Sequence, residues 1–132
     1  NKIDCKIFGY DISNSIIIKC KKNIEESDIN YKINVETRDF FKSKKINNER
    51  LQIIVNPPYD KRIPTDFKSF YSEIGNTLKR NYDNTSSWIF TANMDAIKFV
   101  GLRTSKRIKL FNSSLESRFL NYQIYSGSKK EK

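Results

Sequence analysis

An α/β domain built on a largely parallel sheet is the fold this sequence predicts. Three observations predict it. Apolar runs of strand length alternate with segments of helical period, in the order β-α-β-β-α-β-α-β-β. No internal repeat or low-complexity segment interrupts that alternation. Polar residues stand where the first three runs end, and in open α/β sheets ligands bind beyond the carboxyl ends of the strands.

The elements follow in order. Ile7 to Asp11 reads as a short strand ending in an acid. Ser13 is placed to cap a helix in which Ile16, Ile17, Cys20 and Ile24 recur at helical spacing. Ile29, Tyr31, Ile33 and Val35 alternate as a strand does, and that segment ends at Asp39. Lys42 to Arg50 is a basic, polar loop without period.

Leu51 to Val55 is a near-continuous apolar run, as expected of a strand covered on both faces. Thr65 is placed to cap the next helix. There Phe67, Phe70, Tyr71, Ile74 and Leu78 form an amphipathic stripe. Ser86 to Ala92 reads as a further apolar strand. Asn93 can cap a short helix through Ile97 and Val100, closed by Gly101. Lys106–Phe111 and Arg118–Tyr125 read as two successive strands forming an antiparallel pair. Residues 1–126 are read as one structural unit and 127–132 as a polar tail.

The bulk numbers bound the function. The 132 residues suffice for one domain. The net charge is +10, a field that favours polyanions, although heavy use of Lys, Asn and Ile also fits a coding bias. There is no histidine, which removes Ser-His-Asp and Cys-His nucleophiles and His-ligated zinc. Cys5 and Cys20 are too few and too far apart for a zinc site. They read as small buried residues or inert thiols in a reducing, cytoplasmic setting. No metal is expected. No apolar run reaches the length of a membrane span, so no membrane partner is expected. The chain begins at Asn1 and enters an apolar run almost at once, which reads as a piece of something longer.

The specific signal is Asn56-Pro57-Pro58-Tyr59, directly after the Leu51 strand. An exocyclic amine on a nucleobase is a poor nucleophile, because its lone pair is delocalised into the ring. Two acceptors aimed at its hydrogens draw the nitrogen towards a tetrahedral geometry. The Asn56 side-chain oxygen and a backbone carbonyl, that of Pro57, can supply them. The prolines fix the loop, so the acceptors are preorganised. Tyr59 offers a face on which an extruded base can stack, worth roughly 1–3 kcal/mol. Together the four residues describe a site that methylates a base amine. Asp11 and Asp39, at the ends of the first two strands, are weaker signals, since an Asp in such a place is more often a turn or cap residue.

This motif resembles motif IV of the S-adenosyl-L-methionine-dependent amino-methyltransferases. "GYD", Gly9 to Asp11, resembles their motif II, whose acid holds the donor's ribose. Asp39 resembles the acid that contacts the donor's adenine. The resemblance implies a Rossmann-like class I methyltransferase sheet with helices on both faces, and cofactor contacts at Asp11, Asp39 and Asn56. DNA adenine-N6 methyltransferases share Asn-Pro-Pro-Tyr, so the motif alone leaves the target base open.

The rest of the chain is similar to the THUMP-containing guanine-N2 methyltransferases of 23S ribosomal RNA, most closely from Asn56 to Tyr125. Arg62, Arg103, Lys106, Arg107, Asn112 and Glu116 match that family's pattern. Asp60 and Lys61 stand in place of its Gly-Glu, and Ser113 and Ser117 in place of its Gly and Cys. The resemblance implies large-subunit ribosomal RNA as the partner. It makes Arg62, Arg103, Lys106 and Arg107 candidate RNA contacts. Lys42, Lys44, Lys45 and Lys109 join them on charge alone, with a solvated basic face as the bland alternative.

The family's glycine-rich donor loop, its first strand and its THUMP domain would lie before residue 1. The expectation is therefore the C-terminal part of a catalytic domain, inactive when isolated. The rival readings are a DNA adenine-N6 methyltransferase and a non-catalytic RNA-binding fragment.

Overall fold

In the computed structural model, residues 4–29, 32–58 and 66–127 are described. The chain divides into two compact units, residues 1–43 and 44–132.

The first unit is one β-α-β turn. β1 (Ile7–Asp11) leads to α1 (Asn14–Glu25), then to β2 (Ile33–Thr37) and a 3-10 turn (Phe40–Lys42). β1 and β2 are parallel, in register from Ile7 opposite Ile33 to Asp11 opposite Thr37. A parallel pair needs such a crossover, and α1 supplies it. Ser13 is the N-cap residue of α1 by backbone conformation, but its side chain makes no capping bond. Of the α1 stripe only Ile17 is buried, while Ile16 stays half exposed. Of the two cysteines read as small buried residues or inert thiols, Cys5 is exposed, ahead of β1, and Cys20 is half-buried.

The second unit holds the larger sheet. Its elements are β3 (Leu51–Val55), α2 (Phe67–Asn81), β4 (Thr85–Thr91), α3 (Met94–Ile97) with a 3-10 turn (Lys98–Val100), β5 (Lys106–Asn112) and β6 (Leu115–Ile124). The strand order is β3-β4-β6-β5. β3 and β4 are parallel, with α2 as their crossover, and the other two pairs are antiparallel. Among the described residues the strands form two sheets, one of two strands and one of four.

One face of the larger sheet is sealed. Thr85, Ser87, Ile89 and Thr91 of β4 and Leu120, Tyr122 and Ile124 of β6 are all buried. α2 contributes Tyr71, Ile74, Thr77 and Leu78 to the same core. Phe67 and Phe70 are half-buried and set their rings against Tyr71. The opposite face carries Trp88 stacked on Phe119, ring centroids 4.5 Å apart. In register with Trp88 on that face is Ile54, 66% exposed. The expectation that Leu51–Val55 is covered on both faces therefore fails. β3 is an edge strand, and its burial alternates with the pleat.

The cap of α2 is Asp66, one residue beyond the expected Thr65, which lies outside the described residues. The Asp66 carboxylate accepts from the backbone of Lys68 and from the backbone and hydroxyl of Ser69. The bond from the Ser69 hydroxyl, first among these, holds its pKa below the usual carboxylate value. Asn93 caps α3 as expected, its Oδ1 accepting from Ala96 N at 3.0 Å. Gly101 ends the following turn with φ +72°. No helix among the described residues is long and apolar enough to cross a membrane.

Candidate functional site

The two acids of the first unit stand at one carboxyl edge. Asp11 is the last residue of β1, opposite Thr37, and Asp39 lies two residues beyond Thr37. Arg38 N donates to the Asp11 carbonyl at 2.9 Å, which ties the two strand ends together. Each carboxylate also closes a local turn. Asp11 Oδ1 accepts from Ser13 N at 2.8 Å, and Asp39 Oδ1 accepts from Phe41 N at 2.9 Å. The turn role and a binding role are compatible here, because each turn engages one carboxylate oxygen. Both residues are half-buried. Beside them the Arg38 guanidinium lies over the Tyr10 ring, 4.7 Å from its centroid.

In the second unit the motif loop leaves the carboxyl end of β3. Asn56 is exposed, Pro57 buried and Pro58 half-buried. The amide is thus open to a ligand while the ring beside it anchors the loop. A loop of two prolines offers no backbone N–H at either position, so only its carbonyls can be held. The Tyr71 hydroxyl donates to the Pro58 carbonyl across a long 3.5 Å and lies 2.7 Å from Thr91 Oγ1. Thr91 Oγ1 in turn accepts from Asn93 N at 3.0 Å. Tyr59 and Arg62 lie outside the described residues.

Sequence reasoning took Tyr71 only as part of the helix stripe, and Thr91 only as a strand residue. A signal existed for the first. A fully buried Tyr, where Leu would pack as well, must place its hydroxyl on a partner.

The basic candidates separate into free and committed cations. Arg103, Lys106 and Arg107 are exposed, the last two on β5, with Arg107 Nε donating to Thr104 Oγ1. Lys42 and Lys44 are also exposed. Lys45 is not available to a phosphate: its Nζ donates to the Asp83 carbonyl at 2.7 Å and lies 3.4 Å from Asp83 Oδ1. Its backbone N–H donates to the Asn81 carbonyl, so Lys45 pins its loop to the end of α2. Lys109 is likewise paired, 2.7 Å from Glu116, which also meets Arg118 at 3.2 Å. The hydrogen bond from Lys109, then that from Arg118, keeps the Glu116 pKa below its usual value. Glu116 is therefore a clamp across the β5–β6 hairpin.

A parallel β-α-β unit with acids at its carboxyl edge, and a strand delivering Asn-Pro-Pro from a second parallel pair, define a class I methyltransferase domain. The chain belongs to the UPF0020 family, the RMKL-like methyltransferase domain, which matches residues 1–121. The donor in this family is S-adenosylmethionine.

Two curated relatives are both named ribosomal RNA large subunit methyltransferase K/L. That of Hahella chejuensis is 29% identical over 90% of this chain, and that of Photobacterium profundum 28% identical over 98%. The matched parts are 17% and 19% of those proteins, so the chain spans about a fifth of their length. Among solved structures, a protein of Clostridium difficile 630 described as a possible methylase superposes with a TM-score of 0.82. It is 28% identical, over 98% of this chain and 34% of its own. SMU.472, crystallised with SAH, gives a TM-score of 0.81 at 24% identity, over 92% of this chain and 32% of its own, and shows the shared fold.

Proposed function

We propose that this chain is the base-holding part of an enzyme that methylates N2 of a guanine in 23S ribosomal RNA. The observation that carries the reading is the motif loop: an exposed Asn56 amide beside a buried proline at the carboxyl end of a parallel strand. Support for the substrate comes from relatives named for the large-subunit ribosomal RNA.

The residues have distinct roles. Asn56 Oδ1 and the Pro57 carbonyl accept the two hydrogens of the guanine amine and orient its nitrogen. The Pro58 carbonyl is turned to Tyr71, which leaves that of Pro57 for the amine. Tyr59 stacks the base. The amide is neutral at every working pH, and the proton on nitrogen leaves after transfer, so no strong base is needed. A chain without histidine agrees with this. Asp11 and Asp39 are the residues that would hold the donor's ribose and adenine. They fit, being half-buried acceptors at one carboxyl edge. When bound, S-adenosylmethionine supplies an electrophilic methyl group. Arg62, Arg103, Lys106 and Arg107 would meet RNA phosphates.

The 132 residues alone are expected to bind the donor weakly and to be inactive. Their glycines, at 9, 75, 101 and 127, are scattered and form no glycine-rich turn. Micromolar affinity in a calorimetric titration with S-adenosylmethionine would refute this. In the whole protein, Asn56→Ala is expected to abolish transfer of labelled methyl to ribosomal RNA while leaving donor binding nearly intact. Retained transfer, or a product on DNA adenine, would overturn the assignment.

A further inference from the structure

The Asn56–Pro58 loop is held by a chain of hydrogen bonds with a fixed direction. At one end Asn93 N–H can only donate, and it meets Thr91 Oγ1 at 3.0 Å. At the other end the Pro58 carbonyl can only accept, and it meets Tyr71 Oη at 3.5 Å. The two hydroxyls between them lie 2.7 Å apart. Each carries one hydrogen, so Thr91 donates to Tyr71 and Tyr71 donates to Pro58. Both hydroxyl-bearing residues are fully buried, with Tyr71 and Thr91 at 0% exposure. Hydrogen bonds in such a setting polarise one another and hold their geometry.

We propose that Tyr71 and Thr91 are positioning residues for methyl transfer, aligning the motif loop through the Pro58 carbonyl. The reason lies in the loop's composition. Pro57 and Pro58 have no N–H, so the sheet cannot hold this segment by a backbone ladder. A side-chain donor reaching a carbonyl is the means left, and Tyr71 of α2 is that donor. Thr91, at the end of the neighbouring parallel strand, fixes where the Tyr71 hydroxyl points. The Pro58 carbonyl so held sets the Pro57–Pro58 hinge, and with it the aim of the Pro57 carbonyl and the Asn56 amide.

This inference rests on the functional reading above, and its test separates the two. On the 132-residue chain with carbon-13 carbonyl-labelled proline, the Pro58 resonance is expected to move in Tyr71→Phe and in Thr91→Val. It is expected to stay in place in Thr91→Ser, which keeps the hydroxyl. In the whole protein, Tyr71→Phe and Thr91→Val are expected to lower kcat roughly ten- to a hundredfold, the scale of a small misplacement of reacting groups. KM for the donor stays unchanged, and Thr91→Ser restores kcat. An unmoved Pro58 resonance in both variants overturns the inference, as does a moved resonance with unchanged kcat. Should Tyr71→Phe fail to fold, Thr91→Val carries the same two readouts. If the unaltered whole protein transfers no methyl to ribosomal RNA, the functional reading falls, and the resonance alone decides whether the contact exists.

Discussion

Gly75 of α2 faces Val100 with no room for a side chain: a β-carbon there would lie 1.8 Å from the Val100 carbonyl oxygen. The obstacle is backbone, which cannot turn aside as a flexible side chain would. Gly75→Ala must push α2 away from the turn that ends at Gly101. The expected loss is at least about 2 kcal/mol, at the upper end of overpacking effects. Urea unfolding should show it as a lowered midpoint with an unchanged slope.

The Tyr122 hydroxyl is buried with no hydrogen-bond partner among the described residues. Burial pushes its pKa up to about 12 from the usual 10. The folded value exceeds the unfolded one, so the contribution to stability is complete below pH 10. It is lost as pH rises from 10 towards 12. Alkaline unfolding monitored beside tyrosinate absorbance should place the loss in that window. Tyr122→Phe removes an unpaired polar atom and should be neutral or stabilising by about 1 kcal/mol at pH 7. A clear destabilisation would reveal a partner for the hydroxyl.

Ser113 opens the turn between β5 and β6 with φ +59°. That region disfavours any residue with a β-carbon and suits glycine. Ser113→Gly should therefore stabilise the chain by about 0.5–1 kcal/mol, read as a rise in thermal midpoint. It also accounts for the glycine that the ribosomal RNA guanine-N2 enzymes are expected to have at this place.

If Arg103, Lys106 and Arg107 meet phosphates, neutralising all three to Gln should reduce the slope of log affinity against log salt by about 2 to 3. Lys45→Gln should leave that slope alone and lower stability instead, since Lys45 is spent on Asp83. An unchanged slope in the triple variant dismisses the phosphate contacts.

The order of elements was legible because each carried a local signal. Asn93 and Gly101 bracket the α3 turn by side-chain capping and by a positive φ, and both chemistries are readable from residue type. The motif loop was legible because two prolines after an apolar run leave few conformations. Exposure was less legible. Ile54 points away from α2 on an edge strand, and an apolar run gives no sign of which neighbours will cover it. The fate of the lysines was hidden for a related reason. Lys45 and Lys44 are adjacent and chemically alike, and only the return of the chain to Asp83 after α2 distinguishes them. Tyr71 was placed on the correct helix face, but its hydroxyl's partners lie on β4 and in the motif loop, distant in sequence.

The topology also sets an order in time. β5 and β6 are joined by a two-residue turn and can zip from neighbouring contacts alone. β3 meets β4 only after α2 has been laid across, and such non-local parallel pairing carries a larger loop-closure cost. Asn56 to Pro58 sits at the far end of that late pairing, on a strand with one side open. The Asn56–Pro58 loop is thus set in place after the hairpin and is the first to be released when the fold loosens. Mild heat should loosen that loop while most of the domain's backbone hydrogen bonds remain intact.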